Sequence, residues 1–376
     1  MININWLKKL NNEQFEKVYL FFISIFSFYK GITFEPNSIY QICLVVYTLF
    51  LILKMMKQNS VQEWVFIGCV SGVLAINYLF SKDASLITSF VIILGVKNID
   101  ILKLLKILLF TKLGAFITVI LLSIVNVFPN IAVKTGRGGE FVQRFTLGYN
   151  HPNTLHNYFA LVVILFIVVY YSKLKIWSYI VLLALNEFIY IFSVARTGKY
   201  IVIFLIVLAI AVKFSQIKKF FLTIVPYIQL VLTLFVLLIN QFLFKTPIWT
   251  FIDKILTGRL FFAKLVANDN FSLLGRNLSF FYEKYYGKFH HDNSYATSIA
   301  IMGILLFFVY ILFMSWIIKK SMYKLPIQIW ILYFTNSLIL FTEDYLRQPF
   351  TNITLFIMMF CYYEYISGHK KEFLYE

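Results

Sequence analysis

The sequence predicts an all-α polytopic membrane protein of about twelve transmembrane helices, each needing roughly 20 apolar residues to cross a bilayer. Three observations carry that expectation. Of 376 residues, 60% are hydrophobic and only 14% charged, where a soluble domain carries about a quarter charged residues. Apolar runs of bilayer length follow one another almost without interruption. Lysines gather in alternate gaps between those runs, which is how short loops record membrane orientation.

The runs are 15–34, 38–56, 61–80, 84–97, 107–128, 154–171, 176–194, 200–213, 220–244, 294–318, 327–343 and 349–366. The fourth and eighth are short for a straight crossing and are read as tilted or partly re-entrant. Abundant Phe (42) and Tyr (25) suit lipid-facing bulk and interfacial belts. The first run is long and leads directly into a second span, unlike a cleavable signal. Cys43, Cys69 and Cys361 fall singly inside apolar runs, neither a disulfide framework nor a metal cluster. No internal repeat, low-complexity stretch or soluble domain stands out. Residues 1–376 are therefore expected to form one membrane domain with two polar insertions, 129–153 and a long loop at 245–293.

A formal net charge of +17 would suit nucleic acid, but its distribution favours topology and lipid headgroups instead. Placing the N-terminus in the cytoplasm collects Lys8, Lys9 and Lys17, then Lys54 and Lys57, on that side. Lys97, Lys103, Lys106, Lys173, Lys175, Lys213, Lys218 and Lys219 join them, followed by Lys319, Lys320, Lys324, Lys370 and Lys371. An even number of spans returns the C-terminus to the cytoplasm, and both polar insertions face outward. All six arginines (Arg137, Arg144, Arg196, Arg259, Arg276 and Arg347) fall on that outward side. A topology signal is indifferent to Lys versus Arg, whereas a guanidinium fork grips phosphate in a bidentate way that an ammonium cannot. An outward-facing phosphate or pyrophosphate site is one explanation; chance segregation of six residues is the other.

Several motifs carry candidate chemistry, each with a plainer alternative. Arg144 and Gly148-Tyr149-Asn150-His151-Pro152-Asn153 lead into the sixth run. A turn fixed by Pro152 with a cap at Asn153 or Thr154 explains part of this. It leaves Arg144, Gly148, His151 and His156 on one short approach unexplained. Ser193-Val194-Ala195-Arg196-Thr197-Gly198 joins the seventh and eighth runs, with Arg196 either snorkelling to headgroups or facing a phosphate. Glu187 is an intramembrane carboxylate beside Asn186, read as an interhelical contact or a proton-coupling group.

In the long loop, Thr250-Phe251-Ile252-Asp253 resembles a capping box, and Ile255, Leu256, Leu260 and Phe261 continue at helical spacing. A short amphipathic surface helix is expected there, with Arg259 and Lys264 near its polar side. It would plug the surface or wall a groove for a lipid substrate. Gly258-Arg259 and Leu274-Gly275-Arg276 follow, and His290-His291-Asp292-Asn293-Ser294 closes the loop. Asn293 and Ser294 are helix-cap types. The histidines are either solvated loop residues or, beside Asp292, a source of a general base. A metal site is disfavoured because no carboxylate cluster accompanies them. Glu343-Asp344 with Arg347 forms a further cluster that supports such a site or pairs with itself.

Taken in order, several of these motifs resemble the bacterial O-antigen and capsular polysaccharide polymerases of the Wzy type. They are Arg144 with Gly148 to Asn153, Ser193 with Arg196-Thr197-Gly198, Thr257-Gly258-Arg259, Leu274-Gly275, and His291-Asp292-Asn293-Ser294-Tyr295 with Gly303. Those polymerases group with the O-antigen ligases. The resemblance spans 140–305 in motif order and the whole chain in hydropathy. It implies a metal-independent, cofactor-free membrane glycosyltransferase of the bacterial inner membrane, taking undecaprenyl-pyrophosphate-linked oligosaccharide in the company of membrane lipid. A flippase and a chain-length regulator are the partners it implies. It further implies Arg196 and Arg259 as pyrophosphate ligands and Arg144 as a third. His151, Asn153, Arg276, Asp292 and Asn293 would line the substrate site, with His291 the base and His290 its fallback.

Elementary chemistry agrees: guanidinium groups stabilise the charge developing on a departing pyrophosphate, and an imidazole takes the acceptor's proton. Two other functions share the composition. A ligase would pass finished glycan to a different acceptor by the same chemistry. A flippase or other transporter would show basic residues lining a cavity within its spans, and an internal repeat.

Overall fold

The computed structural model describes residues 11–32, 38–137, 140–279, 281, 283 and 293–367. Apolar runs become helices because a helix satisfies its own backbone groups where lipid offers none. The helices are α1 (Asn12–Ile32), α2 (Ser38–Gln58), α3 (Val61–Ser81), α4 (Ser85–Leu94), α5 (Ile101–Ile124), α6 (Pro152–Tyr170), α7 (Ile176–Ser193) and α8 (Arg196–Ala211). Then follow α9 (Ser215–Ile224), α10 (Ile228–Phe242), α11 (Pro247–Ile255), α12 (Arg259–Asn270), α13 (Ser294–Met302), α14 (Ile304–Ser321), α15 (Ile327–Thr342) and α16 (Thr354–Ile366).

Among the described residues, seven helical stretches are long and apolar enough to cross a membrane, as a polytopic membrane protein requires. They are Ser38–Gln58, Val61–Ser81, Ile101–Ile124, Pro152–Lys173, Ile176–Ser193, Ser215–Phe242 and Ile304–Ser321. In the Ser215–Phe242 stretch, Pro226 marks a single 3-10 turn, Val225–Tyr227, between α9 and α10. Ser85–Leu94, Ile327–Thr342 and Thr354–Ile366 are apolar but shorter.

The chain divides into two compact units built from interleaved segments. Unit 1 comprises 1–54, 98–218 and 327–335. Its centre is α6, whose apolar window is 72% buried and which packs against α5, α7 and α8, while α1 packs on α5. Unit 2 comprises 55–97, 219–326 and 336–376. There α14 packs on α16 and α13, α10 on α12 and α13, and α4 on α3 and α16.

Three sequence expectations change. The all-α class stands, but the 129–153 insertion is not plain loop: residues 132–137 and 140–145 pair as an antiparallel hairpin, β1 (Ala132–Arg137) and β2 (Glu140–Phe145). Its register sets Arg137 opposite Glu140.

The run 294–318 is not one span. It breaks at Gly303, whose φ of +81° suits glycine and strains any other residue.

The amphipathic segment is two helices. Thr246, not Thr250, caps α11, its hydroxyl accepting from the Trp249 N–H at 3.2 Å, with Pro247 at the first helical position. Thr257 (φ 56°) and Gly258 (φ 88°) then turn the chain into α12. Asp253, assigned to a capping box at the start of α11, instead caps α12: its Oδ1 accepts from the N–H groups of Leu260 (2.9 Å) and Phe261 (3.1 Å). Burial raises that carboxyl above its ordinary range, and these two bonds oppose the rise.

Candidate functional site

Within each unit, the arginines keep to one set of helix ends. In unit 1, α6 begins beside the hairpin and Arg144 and runs toward Lys173 and Lys175, while α8 begins at Arg196 and runs toward Lys213. In unit 2, α15 follows Lys324 and ends at Glu343 near Arg347, and α14 ends at Lys319 and Lys320. Lysines occur at both ends; arginines keep to one.

The unit 1 cluster is built on Arg144, which is 4% exposed. Its Nε donates to the Ser193 carbonyl at 2.8 Å, tying β2 to the last turn of α7, and its Nη2 donates to Asn153 Oδ1 at 2.5 Å. His151, rather than Asn153 or Thr154, caps α6: its Nδ1 accepts from the Asn153 N–H at 3.1 Å, with Pro152 next in the helix. Gly148, at φ +91°, lets this approach press on α5, because a Cβ would lie 2.8 Å from the Val119 carbonyl.

His156 is buried beneath, with Nδ1 2.9 Å from Ser193 Oγ and Nε2 2.9 Å from Asn186 Oδ1. Asn186 Nδ2 donates to the Lys199 carbonyl at 3.2 Å, so its oxygen faces the imidazole. Nε2 therefore carries the proton and Nδ1 accepts from the Ser193 hydroxyl, a neutral ring with both nitrogens used. Gly198 makes room for it: a Cβ there would stand 2.6 Å from His156 Cδ2. Glu187 pairs with Lys199 at 2.7 Å, which makes it an interhelical contact.

Arg196 differs from Arg144. It is exposed at the first turn of α8, and among the described residues it makes no hydrogen bond or ion pair. The α8 cap, Ala195, offers no side-chain acceptor to the first N–H groups of that helix. Arg137 lies on β1 opposite Glu140.

The unit 2 cluster surrounds the buried, non-helical connection between α15 and α16. Arg259, 2% exposed, is the first residue of α12. Its Nε donates to the Thr342 carbonyl at 2.7 Å, Nη1 to the Leu256 carbonyl at 3.2 Å and to Thr257 Oγ1, and Nη2 to Glu343 Oε1 at 3.2 Å. Arg347 bridges Asp83 and Asp344, the latter at 2.8 Å. Asn293 caps α13 as its residue type suggests, accepting from the Ala296 N–H at 3.0 Å while its amide donates to the Phe341 carbonyl at 3.1 Å. Ser294 is a hub: its hydroxyl donates to the Glu343 carbonyl and accepts from the N–H groups of Tyr345 (2.7 Å) and Leu346 (3.1 Å).

Also in unit 2, Gly275 crosses the break at Gly303. A Cβ on Gly303 would lie 2.3 Å from Gly275 N, and one on Gly275 would lie 2.1 Å from the Ile301 carbonyl oxygen. The Arg276 N–H donates to the Ala300 carbonyl at 2.9 Å, and the Ile304 N–H to Ser272 at 2.9 Å. Asn77, deep in α3, turns its amide nitrogen to the carbonyls of Leu274 (3.0 Å), Ile301 (2.9 Å) and Met302 (3.0 Å). The Arg276 side chain is exposed. His290, His291 and Asp292 lie outside the described residues.

The geometry thus sorts the candidates. Arg144 and Arg259 are engaged by protein groups, Arg196 and Arg276 are exposed, and His151 and Asn293 are caps. Asn77, Ser193, Asn186 and Ser294 were not singled out for these contacts by sequence reasoning. The signal was present only for Asn77 and Asn186, amides inside apolar helices. No metal-binding group of three or more His, Cys, Asp or Glu residues occurs among the described residues. No family model, curated protein or solved structure matches the chain.

Proposed function

We propose that this chain is a metal-independent polysaccharide polymerase, joining undecaprenyl-pyrophosphate-linked oligosaccharide repeat units at the outer face of the bacterial cytoplasmic membrane, for O-antigen or capsule-type polymers. Its many apolar helices suit a substrate carried on lipid, and the motif order from Arg144 to Gly303 supports the reading.

The observation that carries it is Arg196. A guanidinium with no protein partner among the described residues stands at a helix N-terminus whose first N–H groups have no side-chain cap. Backbone donors, helix dipole and planar fork together are what a diphosphate docks on.

In the reaction, the acceptor sugar's hydroxyl oxygen attacks the anomeric carbon of the growing chain. A glycosidic bond forms as the bond from that carbon to the pyrophosphate oxygen breaks. The electron pair leaves on the polyprenyl pyrophosphate, whose charge Arg196 stabilises. The hydroxyl proton passes to a base, His291 in the order the resemblance gives. Arg144 in unit 1 and Arg259 in unit 2 each fix local backbone by bonds to protein groups rather than by gripping substrate.

Deleting the gene and examining carrier-linked glycan tests this. Single repeat units accumulating on the carrier at the outer face are expected. Units trapped at the inner face would make the protein a transporter, and long polymer left on the carrier would make it a ligase; either outcome overturns the proposal.

A further inference from the structure

Unit 2 contains a groove of about 550 Å³, walled by α10, α12, α13 and the start of α14, a volume in the range that takes a small ligand. Its floor is apolar, with Val236, Ala263, Ala267, Ala296 and Ile299. Its rim is polar, with Asn240, Gln241, Lys264 and Asn268. An apolar limb fits the floor, and a polar or anionic head fits the rim.

Two further observations say what that molecule is. Next to the groove, α11 turns Ile248 (59% exposed), Phe251 (66%) and Ile255 (63%) outward on one face. Its Trp249 is buried, and the indole N–H donates to Asn240 Oδ1 on the groove rim at 2.9 Å. A helix with such a face lies in the interfacial layer of a bilayer, so the rim of the groove opens at headgroup level.

The rim chemistry then discriminates between lipids. No arginine lines the groove. Its one cation is Lys264, whose Nζ sits 5.3 Å from the Phe244 ring centroid and makes no ion pair among the described residues. A lysine point charge with amide neighbours suits a singly charged phosphodiester and hydroxyls, whereas a pyrophosphate calls for the guanidinium fork.

We propose that this groove holds one acyl chain of an anionic phospholipid, its headgroup phosphate at Lys264, with α11 lying in the same leaflet. The assignment is independent of the polymerase reading.

The test uses the full chain in phosphatidylcholine vesicles doped with phosphatidylglycerol bearing a photoreactive diazirine on one acyl chain, or with phosphatidylcholine bearing the same chain. Labelled peptides are mapped by mass spectrometry. Groove peptides should favour the phosphatidylglycerol probe by about fivefold, the preference one lysine confers near a membrane surface. The lipid-facing residues of α2, such as Val45 and Leu49, should label equally with both. Lys264→Gln should bring the groove ratio to about one. Ala267→Phe should remove groove labelling with either probe and leave α2 labelling intact, which also reports that the variant is folded.

Groove labelling no higher than that of α2, or a preference that survives Lys264→Gln, overturns the proposal. So does stronger groove labelling by an isoprenyl phosphate probe, which would make the groove a substrate site.

Discussion

Replacing Arg259 with alanine separates a structural arginine from a substrate-binding one. The guanidinium is 2% exposed and serves two backbone carbonyls, a hydroxyl and the Glu343 carboxylate. The Glu343 side chain is only 10% exposed. Truncation therefore removes the guanidinium partner of a buried carboxylate, and removing one partner of a buried pair costs about 3–5 kcal/mol. A buried carbonyl left unsatisfied adds about 1–3 kcal/mol, less than additively because water enters the vacated space. A loss of about 4 kcal/mol would consume much of the 5–15 kcal/mol that holds a typical domain folded.

Adding Glu343→Gln removes the buried charge that has lost its guanidinium, so the double variant should melt higher than Arg259→Ala alone, recovering about 1–2 kcal/mol. Thermal unfolding of the purified protein in detergent, followed by fluorescence-detected size exclusion, reads both numbers. Arg259→Ala melting with the parent while polymer disappears would refute the reasoning and return Arg259 to the substrate.

The remaining expectations concern the break between α13 and α14 and the free arginine. Gly303→Ala sets a Cβ 2.3 Å from Gly275 N at a φ of +81°, so little folded protein should be recovered by size exclusion; a normal yield would show that the crossing yields easily. Asn77→Leu keeps volume but strands the carbonyls of Leu274, Ile301 and Met302, and should lower the melting point by the equivalent of about 2–4 kcal/mol. Arg196→Ala should leave melting unchanged, since the side chain is exposed, while polymer chain formation in cells is lost. Arg196→Lys should restore only part of it if bidentate grip matters, and full restoration would reduce Arg196 to a headgroup anchor.

Periodicity and apolar length were legible from the residues because lipid leaves a chain few options. Each of the twelve apolar runs is helical over most of its length. What escaped was decided by contacts distant in sequence. The break at Gly303 depends on Gly275 and on Asn77, more than 200 positions away from the carbonyls it meets at Ile301 and Met302. Thr250 was read as a cap because the capping-box pattern fits there, yet Thr246 with Pro247 fits the competing and stronger rule of a proline at the first helical position. The hairpin lies in the 129–153 insertion, for which the residues predict only an outer loop. For the candidate site, position was legible and occupation was not. Nothing in a linear sequence distinguishes Arg144, which binds the Ser193 carbonyl, from Arg196, which among the described residues binds nothing.

That difference reopens why arginine and lysine separate along this chain. A phosphate site was one explanation, yet Arg144, Arg259 and Arg347 are engaged with carbonyls, amides and carboxylates of the protein itself. Arg144 and Arg347 sit in long connections, the hairpin segment and the buried loop between α15 and α16, and Arg259 stands at the three-residue turn between α11 and α12. Irregular backbone exposes carbonyls that no helix satisfies, and a planar five-donor fork can serve several of them at once where an ammonium cannot. At the opposite ends Lys173, Lys175, Lys319 and Lys320 are exposed on flexible stems, while Lys97 pairs with Glu63. Much of the arginine bias is therefore explained by backbone architecture, and the phosphate argument narrows to the arginines left exposed, Arg196 above all.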